Sequence, residues 1–293
     1  MASSRKLIFP LLIMLTLFAC KGKPEAETPS PQLQTYQESP ETPEPEPEPT
    51  KLTALQSYEY NWSQSDDMPD VVIIIDDFGN SAGQLLEDFA DLPSEYVFAV
   101  LPDLAHTQAA ANLATRKGHE VIIHIPMEAE NSKVSPGKKY ISKDMAEDDI
   151  KAILDDFARQ MPMAIAANNH MGSATTASLK TMNKVLSHLS KKDLFFIDSA
   201  TTSKSAVYTA ALQQGVFTAR RDIFLDVPDV SEQSLAKKIQ DLGKYKGRKE
   251  PVIIITHCHN REKLEGLQKF ITQIEAMGIR IVSLRDAFSK AIS

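Results

Sequence analysis

Polar residues that could do chemistry follow short apolar segments at many points of this 293-residue chain. They are Asp76, Asp77, His124, Asn168, Asn169, His170, Asp198, Arg220, Arg221, Asp222, His257 and His259. Any one of them could simply cap the next helix or bond a loop. In parallel α/β folds, however, the carboxyl ends of the strands share one face. Polar residues at so many strand ends therefore favour a single site.

The residue types in this set are those of a hydrolytic metal site. One carboxylate and two imidazoles, with a fourth position open, are typical ligands of catalytic zinc. A second carboxylate could take a proton from water, and a further histidine could give one to a leaving group. A cysteine nucleophile is the alternative, because Cys258 lies between His257 and His259. Strand alternation would point Cys258 away from both histidines, which disfavours that pair.

Alternating elements in residues 69–293 must position these groups. Apolar segments rich in Val, Ile and Phe predict strands at Val71–Ile75, Tyr96–Val100, Glu120–Ile125, Met163–Asn168, Leu194–Ile197, Val216–Ala219, Val252–Thr256 and Ile279–Val282. Amphipathic patterns predict helices at Ala82–Ala90, Gln108–Lys117, Met145–Gln160, Ser178–Ser190, Ser205–Gln214, Ser231–Lys244 and Arg261–Met277. Apolar strands separated by helices indicate an α/β fold with a parallel sheet. Since no Gly-x-Gly-x-x-Gly follows a strand, the pattern favours a (β/α) barrel of about seven strands over a dinucleotide-binding sheet.

The first 20 residues have the pattern of an export signal. Arg5 and Lys6 precede an apolar segment, residues 7–19, that is short for a membrane span. The segment ends in Leu17-Phe18-Ala19-Cys20, which resembles the cleavage box of bacterial lipoproteins. The sequence therefore predicts a lipoprotein signal peptide over residues 1–20, with lipidation at Cys20 and a membrane anchor. An uncleaved signal anchor is the alternative.

Residues 21–68 differ sharply in composition from the rest of the chain. They contain three Lys and ten Asp or Glu, and eight prolines lie between Pro24 and Pro49. Such a segment is typical of an acidic, extended and disordered tether. The net charge of −7 therefore belongs to this tether, and residues 69–293 are nearly neutral. A nearly neutral domain argues against nucleic acid as a partner.

Several segments of residues 69–293 resemble one known family, the divergent polysaccharide deacetylases, a branch of the NodB-like carbohydrate esterases. In chain order, the segments are Ile73–Gly79, Ala99–Pro102, Glu120–Glu128, Asn168–Ser173, Phe196–Ser199, Arg221–Asp226 and Thr256–His259. The resemblance implies a distorted (β/α) barrel with the NodB-like deacetylase fold. It also implies a divalent metal, usually Zn²⁺, and hydrolysis of N-acetyl groups on amino sugars.

The same resemblance suggests a role for each candidate residue. Asp76 is similar to the family's general base, and His257 to the histidine that protonates the leaving amine. The metal ligands implied are Asp77, His124 and His170. Residues implied to support the ligands or contact substrate are Asn169, Asp198, Arg220, Arg221, Asp222 and His259. Other branches of the superfamily take both metal histidines from one His-x-x-x-His motif, which this chain lacks.

These patterns together predict an exported lipoprotein, anchored on the periplasmic side of the bacterial cell envelope. Its barrel is expected to remove N-acetyl groups from an amino-sugar oligosaccharide or polysaccharide. The alternative is a catalytically silent envelope lipoprotein that uses the same cleft to bind a glycan or a cell-wall enzyme. An adjacent pair of aspartates favours catalysis, because a binding module has no need of a base beside its ligands.

Overall fold

The computed structural model describes residues 68–131 and 133–292. The signal peptide over 1–20 with Cys20, and nearly all of the tether over 21–68, lie outside these residues. The strands are β1 (Val71–Phe78), β2 (Val97–Val100), β3 (Val121–Met127), β4 (Ala166–Met171), β5 (Phe195–Asp198), β6 (Thr218–Arg220), β7 (Ile223–Phe224) and β8 (Val252–His257). The helices are α1 (Gln84–Ala90), α2 (Thr107–Arg116), α3 (Glu147–Gln160), α4 (Leu179–Ser190), α5 (Val207–Gln214), α6 (Glu232–Leu242), α7 (Arg261–Ala276) and α8 (Leu284–Ile292).

All eight described strands belong to one parallel sheet with the order β6-β5-β4-β3-β2-β1-β8-β7. The two edge strands, β6 and β7, are joined by Arg221 and Asp222 alone. Three Cα–Cα steps limit the distance from Arg220 to Ile223 to about 11 Å. The sheet must therefore curl until its edges face each other. The predicted distorted (β/α) barrel is confirmed, with a gap in its wall between β6 and β7.

The strands are buried on both faces, and alternate residues enter two different cores. On β1, Ile73 and Ile75 pack against the helices, whereas Val72 and Ile74 pack inside the curled sheet. Because side chains alternate along a strand, every second residue points into the barrel. Because the alternation continues along each strand, a residue two positions after an inner-core residue also points into the barrel.

The last part of the chain closes the inner core and differs from the predicted pattern. Leu284 is fully buried in that core. The predicted strand at Ile279–Val282 is wrong, because only Ile281 bridges Val71 and α8 follows directly. The pairing of β1 with β2 starts at Ile74, so the β2 side of Val71 is open and Ile281 bridges there. Among the described residues, no helix combines the length and the apolarity needed to cross a membrane.

Glu120 fixes the start of α8, and its removal should loosen the inner core. Its carboxylate accepts hydrogen bonds from the backbone N–H groups of Leu284 and Arg285, at 2.7 and 3.2 Å. Glu120→Ala should lower the free energy of unfolding by about 0.5–2 kcal/mol, as loss of a helix cap does. Chemical denaturation measures this change. Glu120→Gln keeps one acceptor oxygen and should lose less, so equal losses in the two variants would contradict the capping role.

Candidate metal centre and catalytic groups

Four candidate side chains continue the inward-facing rows of the inner core. Each lies two residues beyond an inner-core residue of its own strand, and the pairs are Ile74 and Asp76, Ile122 and His124, Ala166 and Asn168, and Ile255 and His257. The period of two along a strand therefore points all four side chains into the barrel at its carboxyl end. The apolar residues below them form the floor of the site.

Asp77 joins this group only because the regular strand geometry ends there. Its φ is 73°, in the left-handed region, and the register between β1 and β2 shifts between Ile75 and Phe78. A regular strand would point Asp76 and Asp77 to opposite faces. Instead, both carboxylates approach Nε2 of His124, Asp76 at 3.7 Å and Asp77 at 3.2 Å.

Asp77, His124 and His170 form a group that could hold a metal ion. Oδ1 of Asp77 lies 3.2 Å from Nε2 of His124 and 2.9 Å from Nδ1 of His170. The two imidazole nitrogens are 3.2 Å apart, and all three atoms fit within 4.8 Å. Oδ1 of Asp77 is buried and makes no hydrogen bond to any described residue. A buried carboxylate oxygen without a hydrogen bond, facing two imidazole nitrogens, fits a divalent cation well.

Asn168 connects this cluster to Asp76. Nδ1–H of His124 donates to Oδ1 of Asn168 at 2.6 Å, and Nδ2 of Asn168 donates to Oδ1 of Asp76 at 2.8 Å. Nε2 of His124 is therefore the nitrogen left to bind a cation. Family resemblance gave Asn168 no role, although its position two residues before His170 places it on the inward face.

Asn169, which was a candidate, faces the other way. Its Nδ2 donates to the carbonyl of Met171 at 2.7 Å, and its Oδ1 accepts from the backbone N–H of Ser199 at 2.9 Å. Asn169 thus holds together the two loops that follow β4 and β5. The structure does not bring its side chain into the cluster.

Burial and neighbouring charges shift the pKa values of the two aspartates in opposite directions. Burial raises the pKa of Asp76 above its ordinary value, although His124 and His257 oppose this effect. Burial also acts to raise the pKa of Asp77, but the three imidazoles of His124, His170 and His259 outweigh it and hold the pKa far below its ordinary range. Burial lowers the pKa of His124, yet Asp76 and Asp77 overcome it and raise that pKa to about 9. The cluster therefore favours a positive charge between Asp77 and His124.

His257 is held by a carboxylate that the candidate set did not include. Its Nδ1 lies 2.9 Å from Oδ2 of Asp226, whose side chain is fully buried, and Nζ of Lys263 lies 2.6 Å from the same oxygen. Burial alone lowers the pKa of His257, but Asp226 outweighs it, and the pKa ends above its ordinary value. Asp226 is the last residue of Arg221–Asp226, one of the segments that resemble the family. That resemblance was the signal in the sequence that pointed to Asp226.

Lys263 also determines how His259 acts. Nζ of Lys263 lies 3.3 Å from Nδ1 of His259, and Nε2 of His259 lies 2.6 Å from Oδ2 of Asp77. An ammonium group can only donate, so Nδ1 of His259 accepts and Nε2–H donates to Asp77. This contact occupies one oxygen of Asp77 and leaves Oδ1 for a cation. Cys258, between the two histidines, packs against the helix-side core instead.

Arg221 lies behind His257 rather than beside the cluster. Its guanidinium donates to the carbonyls of Ser199 and Ala200 at 2.6 and 2.9 Å, and it lies 3.6 Å above the Phe224 ring. The Phe224 ring in turn stacks on His257, with centroids 5.6 Å apart. Arg221 therefore supports the wall on which His257 rests.

The other three candidates are not part of the metal-binding group. The buried Asp198 accepts from the backbone N–H of Ala200 at 2.8 Å, and Arg220 is exposed at the end of β6. Asp222 pairs with Arg248 at 2.7 Å and accepts from the backbone N–H of Ile253 at 3.0 Å. Ile253 is near the start of β8, at the opposite end of the barrel from His257. Asp222 thus has a structural contact there.

A cavity of about 550 Å³ opens beside the cluster, with Asp77, His170 and His259 on its wall. The segments Leu101–Ala105 and Ser135–Lys139 line its remaining sides. A substrate in this cavity would meet the carboxylate and both imidazoles directly.

Asp226→Asn should lower the pKa of His257, because the amide keeps the shape of the side chain and removes its negative charge. The protonated imidazole then persists over a narrower range of pH. By linkage, the pair stabilises the fold below the ordinary histidine pKa, and this contribution is lost as the pH rises through the raised value. NMR titration of the imidazole measures the pKa.

A second aspartate–histidine pair provides the control for this titration. Oδ1 of Asp155 lies 2.9 Å from Nε2 of His188, on the helices outside the sheet. Asp155→Asn should leave the titration of His257 unchanged. An unaltered pKa of His257 in Asp226→Asn would show that Asp226 does not set its protonation.

The sequence matches a family model and two curated relatives. The model of the divergent polysaccharide deacetylases matches residues 73–288. The uncharacterized protein YibQ of Escherichia coli (strain K12) is 38% identical over 159 residues, which cover 53% of this chain and 48% of that protein. An uncharacterized protein of Haemophilus influenzae (strain ATCC 51907 / DSM 11121 / KW20 / Rd) is 34% identical over 157 residues, covering 53% and 55%. The matched part thus spans about half the length of these curated relatives.

A solved structure shares the fold over nearly its whole length. The crystal structure of the uncharacterized protein ATU2773 from Agrobacterium tumefaciens C58 superposes with a TM-score of 0.66 at 22% identity. The match covers 79% of this chain and 94% of that one. Since the family model spans most of the barrel, the chain belongs to the divergent polysaccharide deacetylase family.

Proposed function

We propose that this protein is a metal-dependent hydrolase that removes N-acetyl groups from amino-sugar glycans of the cell envelope. The observation that carries the proposal is the convergence of Asp77, His124 and His170 around an oxygen that lacks a hydrogen bond. A proton acceptor, Asp76, and a proton donor, His257, stand on neighbouring positions of β1 and β8. Family membership supports a carbohydrate substrate.

Oδ1 of Asp77, Nε2 of His124 and Nδ1 of His170 are the atoms that would hold the metal. Two imidazoles and one carboxylate are a ligand set typical of catalytic zinc, so we propose Zn²⁺. When bound, such an ion polarises a carbonyl group and lowers the pKa of water. Asn168 and His259 keep the ligand atoms directed at one point, through their hydrogen bonds to His124 and Asp77.

The remaining residues handle the two proton transfers of amide hydrolysis. Asp76 accepts the proton of the attacking water, and its raised pKa makes it a stronger base than an exposed aspartate. His257 is held protonated by Asp226, and since its Nδ1 faces Asp226, the proton on Nε2 is the one available to the leaving amine. Base and acid thus act from adjacent strands, about 5 Å apart at the backbone.

Substitution of the two adjacent aspartates should separate their roles. Asp77→Asn should lose metal, because an amide is a weaker ligand than a carboxylate. Asp76→Asn should keep the metal and lose activity by roughly 10²–10⁴-fold, because an amide cannot accept the proton. Elemental analysis and acetate release from chitooligosaccharides and peptidoglycan fragments measure the two effects. Equal loss of metal in both variants would contradict the division of roles.

The same assay tests the proposal as a whole. If the metal-loaded wild-type protein releases no acetate from any of these glycans, the hydrolase proposal fails. A protein that binds the glycan without turnover would instead fit the silent envelope lipoprotein.

We also propose that the barrel is exported and anchored to the cell envelope through a lipid on Cys20. The basic start, the short apolar segment and the Leu17–Cys20 box support this location. Cys20→Ala should leave the signal peptide uncleaved and abolish metabolic labelling with a fatty acid. Cys258→Ala, the matched cysteine variant, should be labelled normally. Full labelling of Cys20→Ala would contradict the anchor.

A further inference from the structure

A second cavity, of about 370 Å³, lies at the carboxyl ends of β5 and β6. The residues that line it include Asp198, Ser203, Ser205, Tyr208 and Arg220. None of these side chains belongs to the metal-binding group. The cavity is therefore a separate feature of the same face of the barrel.

Tyr208 is unusually exposed for an aromatic residue. It is 69% exposed. Among the described residues, the other large apolar residues that are exposed are all aliphatic and less exposed than Tyr208. Leu212, one helical turn further along α5, is 65% exposed but does not line the cavity. An exposed aromatic face beside polar groups gains free energy when a partly apolar ligand covers it.

The polar groups around Tyr208 match the chemistry of a sugar ring. A pyranose has a face of C–H groups that can stack on an aromatic ring, and a rim of hydroxyls that donate and accept hydrogen bonds. The hydroxyls of Ser203 and Ser205 can accept and donate hydrogen bonds to that rim, and the guanidinium of the exposed Arg220 can donate them. Thr218 and Ala219 of β6 also line the cavity, on a strand that is paired on one side only within the described sheet. A strand edge of this kind can present free backbone N–H and C=O groups.

The cavity and the metal-binding group lie at the same end of the barrel, because Ser203 and Ser205 follow β5 directly and Tyr208 is the second residue of α5. The intervening loop is attached to the site, because the hydroxyl of Thr201 donates to the carbonyl of Met171, directly after His170, at 2.9 Å. β6 is two strands away from β4, which corresponds to about 10 Å across the sheet. A glycan that extends from the reacting sugar across the ends of β5 and β6 would pass this cavity.

We propose that this cavity is a second sugar-binding subsite, in which Tyr208 stacks on a ring of the glycan next to or near the reacting unit. The subsite rests on the proposed function and adds a contact to a second sugar ring of the same glycan. A peptide is a poorer fit, because β6 has three residues and offers little length for an added strand.

Calorimetric binding of a hexamer of N-acetylglucosamine tests the subsite directly. The full-length Asp76→Asn protein serves as background, since it should bind the sugar without cleaving it. Adding Tyr208→Ala should weaken binding by roughly 10-fold, as loss of one aromatic contact does. Tyr208→Phe keeps the ring and should retain most of the affinity. Leu212→Ala, the equally exposed control on the same helix, should bind like the background protein.

Two results would overturn the subsite. Either unchanged affinity in Tyr208→Ala, or an equal loss in Leu212→Ala, would assign Tyr208 to a general apolar patch such as a protein contact. Acetate release from the hexamer and the dimer separates this failure from failure of the proposed function. If the protein releases acetate and its KM is unchanged by Tyr208→Ala, the subsite is wrong and the hydrolase proposal stands. If hexamer binding is weakened by Tyr208→Ala but no acetate is released, the hydrolase proposal is wrong and the subsite stands.

Discussion

The left-handed backbone at Asp77 is the constraint on which the candidate site depends. It lets two consecutive aspartates face the same imidazole, which a regular strand forbids. A non-glycine residue in this region costs of the order of 1–3 kcal/mol. β1 is paired with β2 on one side and β8 on the other, and all its residues are buried, so the surrounding sheet can maintain the distortion. In the proposed mechanism, this arrangement leaves one carboxylate to bind a cation while its neighbour accepts a proton.

The apolar floor of the barrel gives these charges their strength. Ile74 and Ile255 are fully buried directly below Asp76 and His257. Buried charges are costly unless each has a partner, and in a medium of low polarity each pairing is correspondingly strong. Asp76 meets this requirement through Asn168, Asp226 through Lys263, and the Oδ2 atom of Asp77 through His259. The contacts that would direct these groups at a cation therefore also stabilise the fold.

The sequence allowed the barrel to be predicted because its strands are nearly continuous apolar segments. It also indicated polar positions at Asp76, His124 and His257, since polar residues interrupt that pattern there. Of the three, only His257 is the last residue of its strand, whereas His124 is the central residue of β3. The short strand β7 was not predicted, because two residues are too few to show an alternating or apolar strand pattern. Ile279–Val282 was apolar enough to be mistaken for a strand, although the edge of β1 leaves space for a single bridge.

Supporting contacts were harder to predict, because they depend on side chains distant in sequence. The partners Asn168 and Asp76 are 92 residues apart, and Asp226 and His257 are 31 apart. No spacing rule connects such positions without the sheet order. Asp222, beside Arg221 in sequence, proved to contact the opposite end of β8, since the chain crosses there from one edge strand to the other.

The distribution of the three cation-facing residues over β1, β3 and β4 also links ligand binding to folding. His124 and His170 are 46 residues apart, so no short segment of the chain can bring them together before the sheet has formed. The unfolded chain is therefore expected to have little affinity for the ion that we propose the native barrel binds. Under mass action, occupancy of this group shifts the whole folding equilibrium toward the native state. The availability of the ion in the compartment would then govern how long the barrel survives there, as well as how fast it works.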